Sequence, residues 1–281
     1  MKNSITKFRV WCVLSVFLIF IFSACEKDDP TAPENGTPPD IPPVSTFQMD
    51  FSDFQTQRTG KILHNSHEIM LTKLNWGWAA ANVFVWNTIL TINLIVPVAA
   101  FVESFNHEPV QQADGSWLWT YSFTAGGLLH TAHLTATTDV GFINWKMLIS
   151  KENTYTDFEW FTGRSNLVVT AGTWTLNAKP TDPTPLLDIL WHRNPTSGSS
   201  DIRYTNIIPN HEENGAFIQM AVTPDSVRDA SYQIYSVTNN NMTNIEWSRT
   251  TKDGRVSDAV HFGDTGEWHC WNNTLDDIDC Q

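Results

Sequence analysis

The sequence predicts a mainly β protein: one antiparallel meander of about 10–12 strands forming a barrel-like or strongly curved sheet, with one long apolar N-terminal helix packed in its mouth or lumen. Three observations predict it. Downstream of residue 115 apolar and polar side chains alternate with period two. Clusters of turn-forming residues interrupt that alternation at short intervals, with no helical pattern between them. Upstream, residues 77–101 run for 25 positions without a charge.

The strands come first because their signal is clearest. In Trp117-Leu118-Trp119-Thr120-Tyr121-Ser122-Phe123 the aromatics share one face, with Thr120 and Ser122 on the other. Similar runs recur near 128–138, 142–150, 157–162, 166–176, 187–193, 201–207, 215–223, 230–237, 243–250, 254–262 and 267–271. Thr138-Asp139-Val140-Gly141, Gly163-Arg164-Ser165-Asn166, Thr196-Ser197-Gly198, Thr238-Asn239-Asn240-Asn241, Asp253-Gly254 and Gly263-Asp264-Thr265-Gly266 read as turns. Short strands without intervening helices imply antiparallel pairing, and this many must curl or form layers. Gly-x-Trp occurs at 115–117, 172–174 and 266–268, where glycine admits a bulge and tryptophan plugs the interior. The motif is similar to one on the first lipocalin strand, but nothing else here matches that family.

The helix is expected between about residues 66 and 105, with Ser66 as its cap, Glu68 in the first turn and Pro97 kinking its last turns. A helix apolar all round is buried in protein or in lipid. Its length alone would span a bilayer. Asn82, Asn87 and Asn93 are costly in hydrocarbon unless partnered. The expected place is therefore a core, with the asparagines bonded to strands.

The N-terminus carries separate information. Lys2, Lys7 and Arg9 precede an apolar run over 10–22 and small residues at Ser23 and Ala24, the layout of a secretory signal. Phe22-Ser23-Ala24-Cys25 resembles a bacterial lipobox, and Cys25-Glu26-Lys27-Asp28-Asp29 resembles the charged tag of Bacteroidota surface lipoproteins. The resemblance implies a lipid on Cys25, an outer-membrane location and exposure at the cell surface. It implies no activity. The expected organisation is a signal peptide over 1–24, a Pro-rich disordered tether over 25–44, and a helix-plus-β domain over 45–281.

Removal of 1–24 takes away three bases and no acid, leaving 14 basic and 30 acidic residues, a formal charge of −16. That balance disfavours nucleic acid as a partner. Cys12 leaves with the signal, so Cys270 and Cys280 are the expected disulfide of an oxidising compartment. No motif requires a cofactor, and no metal set is identified.

Several groups bear on chemistry. On a strand, His130 points inward with Leu128, Ala132 and Leu134, whereas His133 points outward, so they cannot share a metal. His64 and His67 fall in the helix-capping region without a third ligand. His261, Asp264 and His269 flank the last hairpin and form one place for acid–base work. Asp157, Glu159, Asp188 and Asp201 supply acids but no evident pair for glycoside hydrolysis. Most tryptophans alternate with polar neighbours and belong to the core; Trp76, Trp78 and Trp271 lie at element ends, where exposure would suit stacking on sugar rings. The expected function is a non-catalytic, lipid-anchored surface protein, binding or structural, holding a small apolar ligand between helix and sheet. The alternatives are a glycan-binding module using those three tryptophans and a secreted hydrolase.

Overall fold

The computed structural model describes residues 36–55 and 72–280. Cys25, His64, Ser66 and His67 lie outside the described residues. Fourteen strands form one antiparallel sheet in strict sequence order. They are β1 (Val110–Gln111), β2 (Trp117–Ala125), β3 (Leu128–Asp139), β4 (Phe142–Lys151), β5 (Tyr155–Asn166), β6 (Ala171–Lys179) and β7 (Asp182–Asn194), then β8 (Ser199–Asn206), β9 (Phe217–Val222), β10 (Ala230–Ser236), β11 (Asn241–Trp247), β12 (Gly254–Ser257), β13 (His269–Trp271) and β14 (Asp277–Ile278). The sheet is mainly β as expected, with short edge strands β1 and β14 in addition. It does not close: β1 and β14 share no ladder.

The period-two reading holds along the long strands. Trp117, Trp119, Tyr121 and Phe123 of β2 are buried, as are Ile143, Trp145, Met147 and Ile149 of β4, two strands away. One expected turn is misplaced. Residues 163–166 continue β5, and the chain reverses over 167–170 instead. Glycine at 163 serves packing, since a Cβ there would collide with the Trp174 indole. The apolar reversal is tied by Asn166, whose Oδ1 accepts from the Thr170 amide at 2.8 Å, while Val169 takes a φ of 53°. The run at 254–262 is also not all strand. After Ser257 it becomes α3 (Ala259–Phe262), started by the Asp258 carboxylate and ended by left-handed Gly263.

Residues 44–55 fill the sheet. A short 3-10 turn (Val44–Thr46) leads to Phe47, Met49 and Phe51, then to α1 (Ser52–Gln55). Phe47 is 0% exposed, its ring 4.7 Å from Phe101, 4.8 Å from Phe161 and 5.7 Å from Trp174. Strand tyrosines hold the segment's backbone. The Tyr204 hydroxyl donates to the Phe47 carbonyl and accepts from the Met49 amide, both at 2.8 Å, and Tyr232 donates to the Asp50 carbonyl at 2.7 Å. Burial drives the Tyr204 pKa upward, so the phenol stays neutral and keeps its donor. Upstream, Pro39 and Pro42 are already buried, so the expected tether does not remain free of the body as far as residue 44.

The long helix, α2 (Leu74–Ser104), is present as expected but is buried along one stripe only. It packs on β2 at its C-terminal end and on β12, β13 and β14 at its N-terminal end, lying across the gap between first and last strands. One stripe is buried: Ala79, Val83, Leu90, Leu94, Pro97, Phe101 and Ser104. The opposite face is open, with Val85 at 55%, Ile89 at 48%, Ile92 at 69% and Ile95 at 51% exposure. Only 28% of its most apolar 18-residue window is buried, although its length and hydropathy suffice to cross a membrane. The asparagines also depart from expectation. Asn82 donates to the Trp78 carbonyl at 3.0 Å and Asn93 to the Ile89 carbonyl at 2.7 Å, back onto their own helix. The helix runs unbroken through Pro97.

Its N-terminus is fixed from the other end of the chain. The Leu74 and Asn75 amides both donate to the Asp277 carboxylate at 3.0 Å, which supplies the anion that a helix start favours. Cys270 and Cys280 lie at 2.10 Å and bracket Asp277, so the bridge holds the hairpin that caps α2.

Candidate ligand groove on the outer sheet face

The tryptophans expected to be exposed are not a platform. Trp271 is 1% exposed, its indole N–H donating to the Lys252 carbonyl at 2.9 Å. Trp76 and Trp78 are half-buried and packed against the core. The space where Trp76 meets Phe54, Trp247 and Trp271 is about 10 Å³, no more than a water occupies. A small apolar ligand has no room there, because Phe47, Phe51 and Phe54 occupy the interior.

The histidine–carboxylate group at the last hairpin turns out to be a docking pad. His269 Nε2 lies 2.7 Å from Asp264 and its ring stacks on Phe262. His261 stacks on Trp78 at 3.6 Å. Beneath them Asp258 is 1% exposed and accepts from Thr243 at 2.6 Å, Asn241 at 2.7 Å, Trp78 Nε1 at 3.0 Å and the His261 amide at 3.0 Å. Burial raises the Asp258 pKa, and the bonds from Thr243, His261, Asn241 and Trp78 outweigh it, so the group titrates below the ordinary range. These contacts seat α2 on the end of the sheet.

His130 is a core residue, as its strand face predicts: it is 4% exposed, Nδ1 lies 2.9 Å from the Leu128 carbonyl, and burial lowers its pKa. His133 faces out and meets Thr120 at 3.1 Å. Three of the four acids weighed for hydrolysis are engaged by neighbours: Asp157 accepts from Ser150, Asp188 from Thr175, and Asp201 lies 3.1 Å from His192. Glu159 faces solvent opposite Leu148. Among the described residues no three His, Cys, Asp or Glu side chains are placed to hold a metal ion.

A concavity lies elsewhere, on the outer face of β3–β6. It is an open groove of about 590 Å³. Register builds its floor in two rows. Thr135, Lys146, Thr162 and Thr175 stand opposite one another across successive strands, and Thr137, Asn144, Arg164 and Thr173 form the second row. Four neighbouring strands span roughly 14 Å, the width of a sugar ring or two. Asp114 and Ser116 form a rim. Asp114 is held ionised by Ser116, whose hydroxyl and amide donate at 2.7 and 3.0 Å, and its pKa is lowered accordingly.

Threonine suits any exposed strand face, so threonines alone mark nothing. The cations distinguish this face. Arg164 stacks 3.8 Å above the Phe142 ring and lies 3.7 Å from Asp139. Lys146 is exposed and makes no hydrogen bond or ion pair with a described residue. Sequence reading missed this group. The outward T-x-T pairs at 135–137 and 173–175 are visible, but the rows exist only once the register is known.

No protein-family model matches the chain, and no curated protein or solved structure matches it either.

Proposed function

We propose that this is a non-catalytic binding protein of the bacterial outer-membrane surface, lipid-anchored through Cys25, taking a hydroxyl-rich ligand of glycan type in the outer groove of β3–β6. One observation carries the reading: an open groove of about 590 Å³ floored by threonine and asparagine side chains around Lys146, which has no bonded partner among the described residues. Threonine hydroxyls and asparagine amides both donate and accept, matching the mixed pattern of sugar hydroxyls. Lys146 and Arg164 stand together on a strongly acidic chain, which favours a sugar bearing a carboxylate or other anionic group. Asp114 is the one acid among the lining residues, whereas glycoside hydrolysis ordinarily uses two carboxyl groups. The filled interior turns the reading away from an apolar cargo, and the buried Trp271 turns it away from a tryptophan platform.

Calorimetric titration of the intact protein with acidic and neutral oligosaccharides tests the groove. Acidic sugars are expected to bind better, and Lys146→Ala to weaken them by about 10-fold or more, as for loss of a charged hydrogen bond. Equal affinity of wild type and Lys146→Ala would remove the groove from the account. The anchor is tested separately: intact mass of the membrane-extracted chain should show a lipid-modified Cys25, absent in Cys25→Ala.

A further inference from the structure

We infer that the outward face of α2 is a lipid-contacting surface, seating the domain flat against the bilayer to which the chain is anchored. The inference rests on the anchor reading above, and on four observations independent of the groove. Val85, Ile89 and Ile92 are spaced i, i+4, i+7 and share one face with Ile95, all about half or more exposed. The helix is about 46 Å long at 1.5 Å per residue, and residues 77–101 carry no charge. An interfacial helix normally pairs an apolar face with a polar one. Here the protein body occupies the other side, through the stripe of Val83, Leu90, Leu94 and Phe101.

The second observation is the state of the polar side chains. Thr88 donates to the Phe84 carbonyl at 2.8 Å, Thr91 lies 3.2 Å from Asn87 Oδ1, and Asn82 and Asn93 donate to the carbonyls four residues back. Both threonine hydroxyls and one N–H of Asn82 and of Asn93 are bonded within the helix, which lowers the cost of contact with hydrocarbon. The same arrangement argues for lipid over a second copy of the chain. Protein interfaces carry roughly one direct hydrogen bond per 100–200 Å², and this face turns its donors inward.

The third observation limits the geometry to lying on the surface. The outer faces of β2 and β3, the strands next to the helix's C-terminal half, carry Thr120, Ser122, Thr131 and His133, which disfavours burying this part of the sheet in hydrocarbon with the helix. The fourth is reach. Ten residues lie between Cys25 and Gly36, a span of at most roughly 40 Å when fully extended. A lipid on Cys25 therefore keeps the body close enough for α2 to meet the membrane. The strong negative charge opposes attraction to anionic headgroups, so apolar contact supplies the binding.

The test places an environment-sensitive fluorophore on the full chain at Ile92→Cys, with Val85→Cys as a second site and Thr175→Cys in the groove as control. The parent chain carried through the same labelling sets the background. Phosphatidylcholine vesicles containing nitroxide-labelled lipid should shift the emission at 92 and 85 to the blue and quench it, leaving the probe at 175 unchanged. Far-UV circular dichroism checks that helix content is retained, as expected for exposed positions. A water-like probe at 92 on a chain whose Cys25 is lipidated by mass would overturn the inference and leave the anchor standing. A quenched probe on an unlipidated chain would uphold the inference and remove the anchor. A blue-shifted probe without vesicles, on a chain of dimeric mass, would assign the face to a second copy and overturn it.

Discussion

Replacing Phe47 by alanine is expected to lower unfolding stability by about 3–5 kcal/mol, a large fraction of what a domain possesses. Phe47 is 0% exposed and sits where three elements meet: the N-terminal segment, α2 through Phe101, and the sheet through Phe161 and Trp174. Removing the ring loses its transfer free energy and leaves a hole in an aromatic cluster that cannot easily collapse. Tyr204 bonds to the Phe47 carbonyl and the Met49 amide and so fixes the backbone just after the position, which further limits relaxation. Urea unfolding followed by tryptophan fluorescence measures the effect. A loss below about 1 kcal/mol, the range of surface substitutions, would mean that residues 44–55 do not plug the sheet.

The second large effect belongs to Asp258. Asp258→Ala leaves the donors of Trp78, Thr243 and Asn241 without their acceptor in a buried setting. Each unsatisfied donor costs about 1–3 kcal/mol, and partial access to water brings the expected total to about 3–5 kcal/mol. The same site makes wild-type stability depend on acid. The folded pKa is depressed, so the contribution is fully present above the ordinary aspartate value of about 4 and is lost as pH falls through the lower folded value. Asp258→Asn should flatten that part of the acid limb. Unfolding curves between neutral pH and strong acid check both statements; an unchanged acid limb in Asp258→Asn would contradict the second.

Both residues show how far the sequence could be read. Alternation placed Trp119, Trp145, Ile189 and Trp191 on the inner face because each strand carries its own period. The helix was equally legible as a helix, but its surroundings were not. Uniform apolarity looks the same whether a helix is enclosed by a sheet or lies across its open edge, and only the pairing of distant elements decides. The internal bonds of Asn82 and Asn93 were likewise invisible, since the competing partners on strands are equally good chemistry. Phe47, Met49 and Phe51 do alternate, yet so short a run beside a Pro-rich segment carries little weight. Gly163 misled because glycine serves a reversal and a close indole contact equally well. Lys146 carries no signal of its own in the sequence; only the register sets it beside Thr135 and Thr162.

Phe47, Phe51 and Phe54 fill the interior, and the proposed ligand groove lies outside it. Two buried indole N–H groups, on Trp174 and Trp191, have no acceptor among the described residues and so report directly on the inside. A titration of the intact protein with acidic oligosaccharide, followed by NMR, reads inside and outside at once. The predicted result is movement of the Thr135, Thr162, Thr173 and Thr175 methyl signals while both indole N–H signals stay fixed. Movement of the Trp174 and Trp191 indoles with unmoved threonine methyls would contradict it and place the binding site within the sheet.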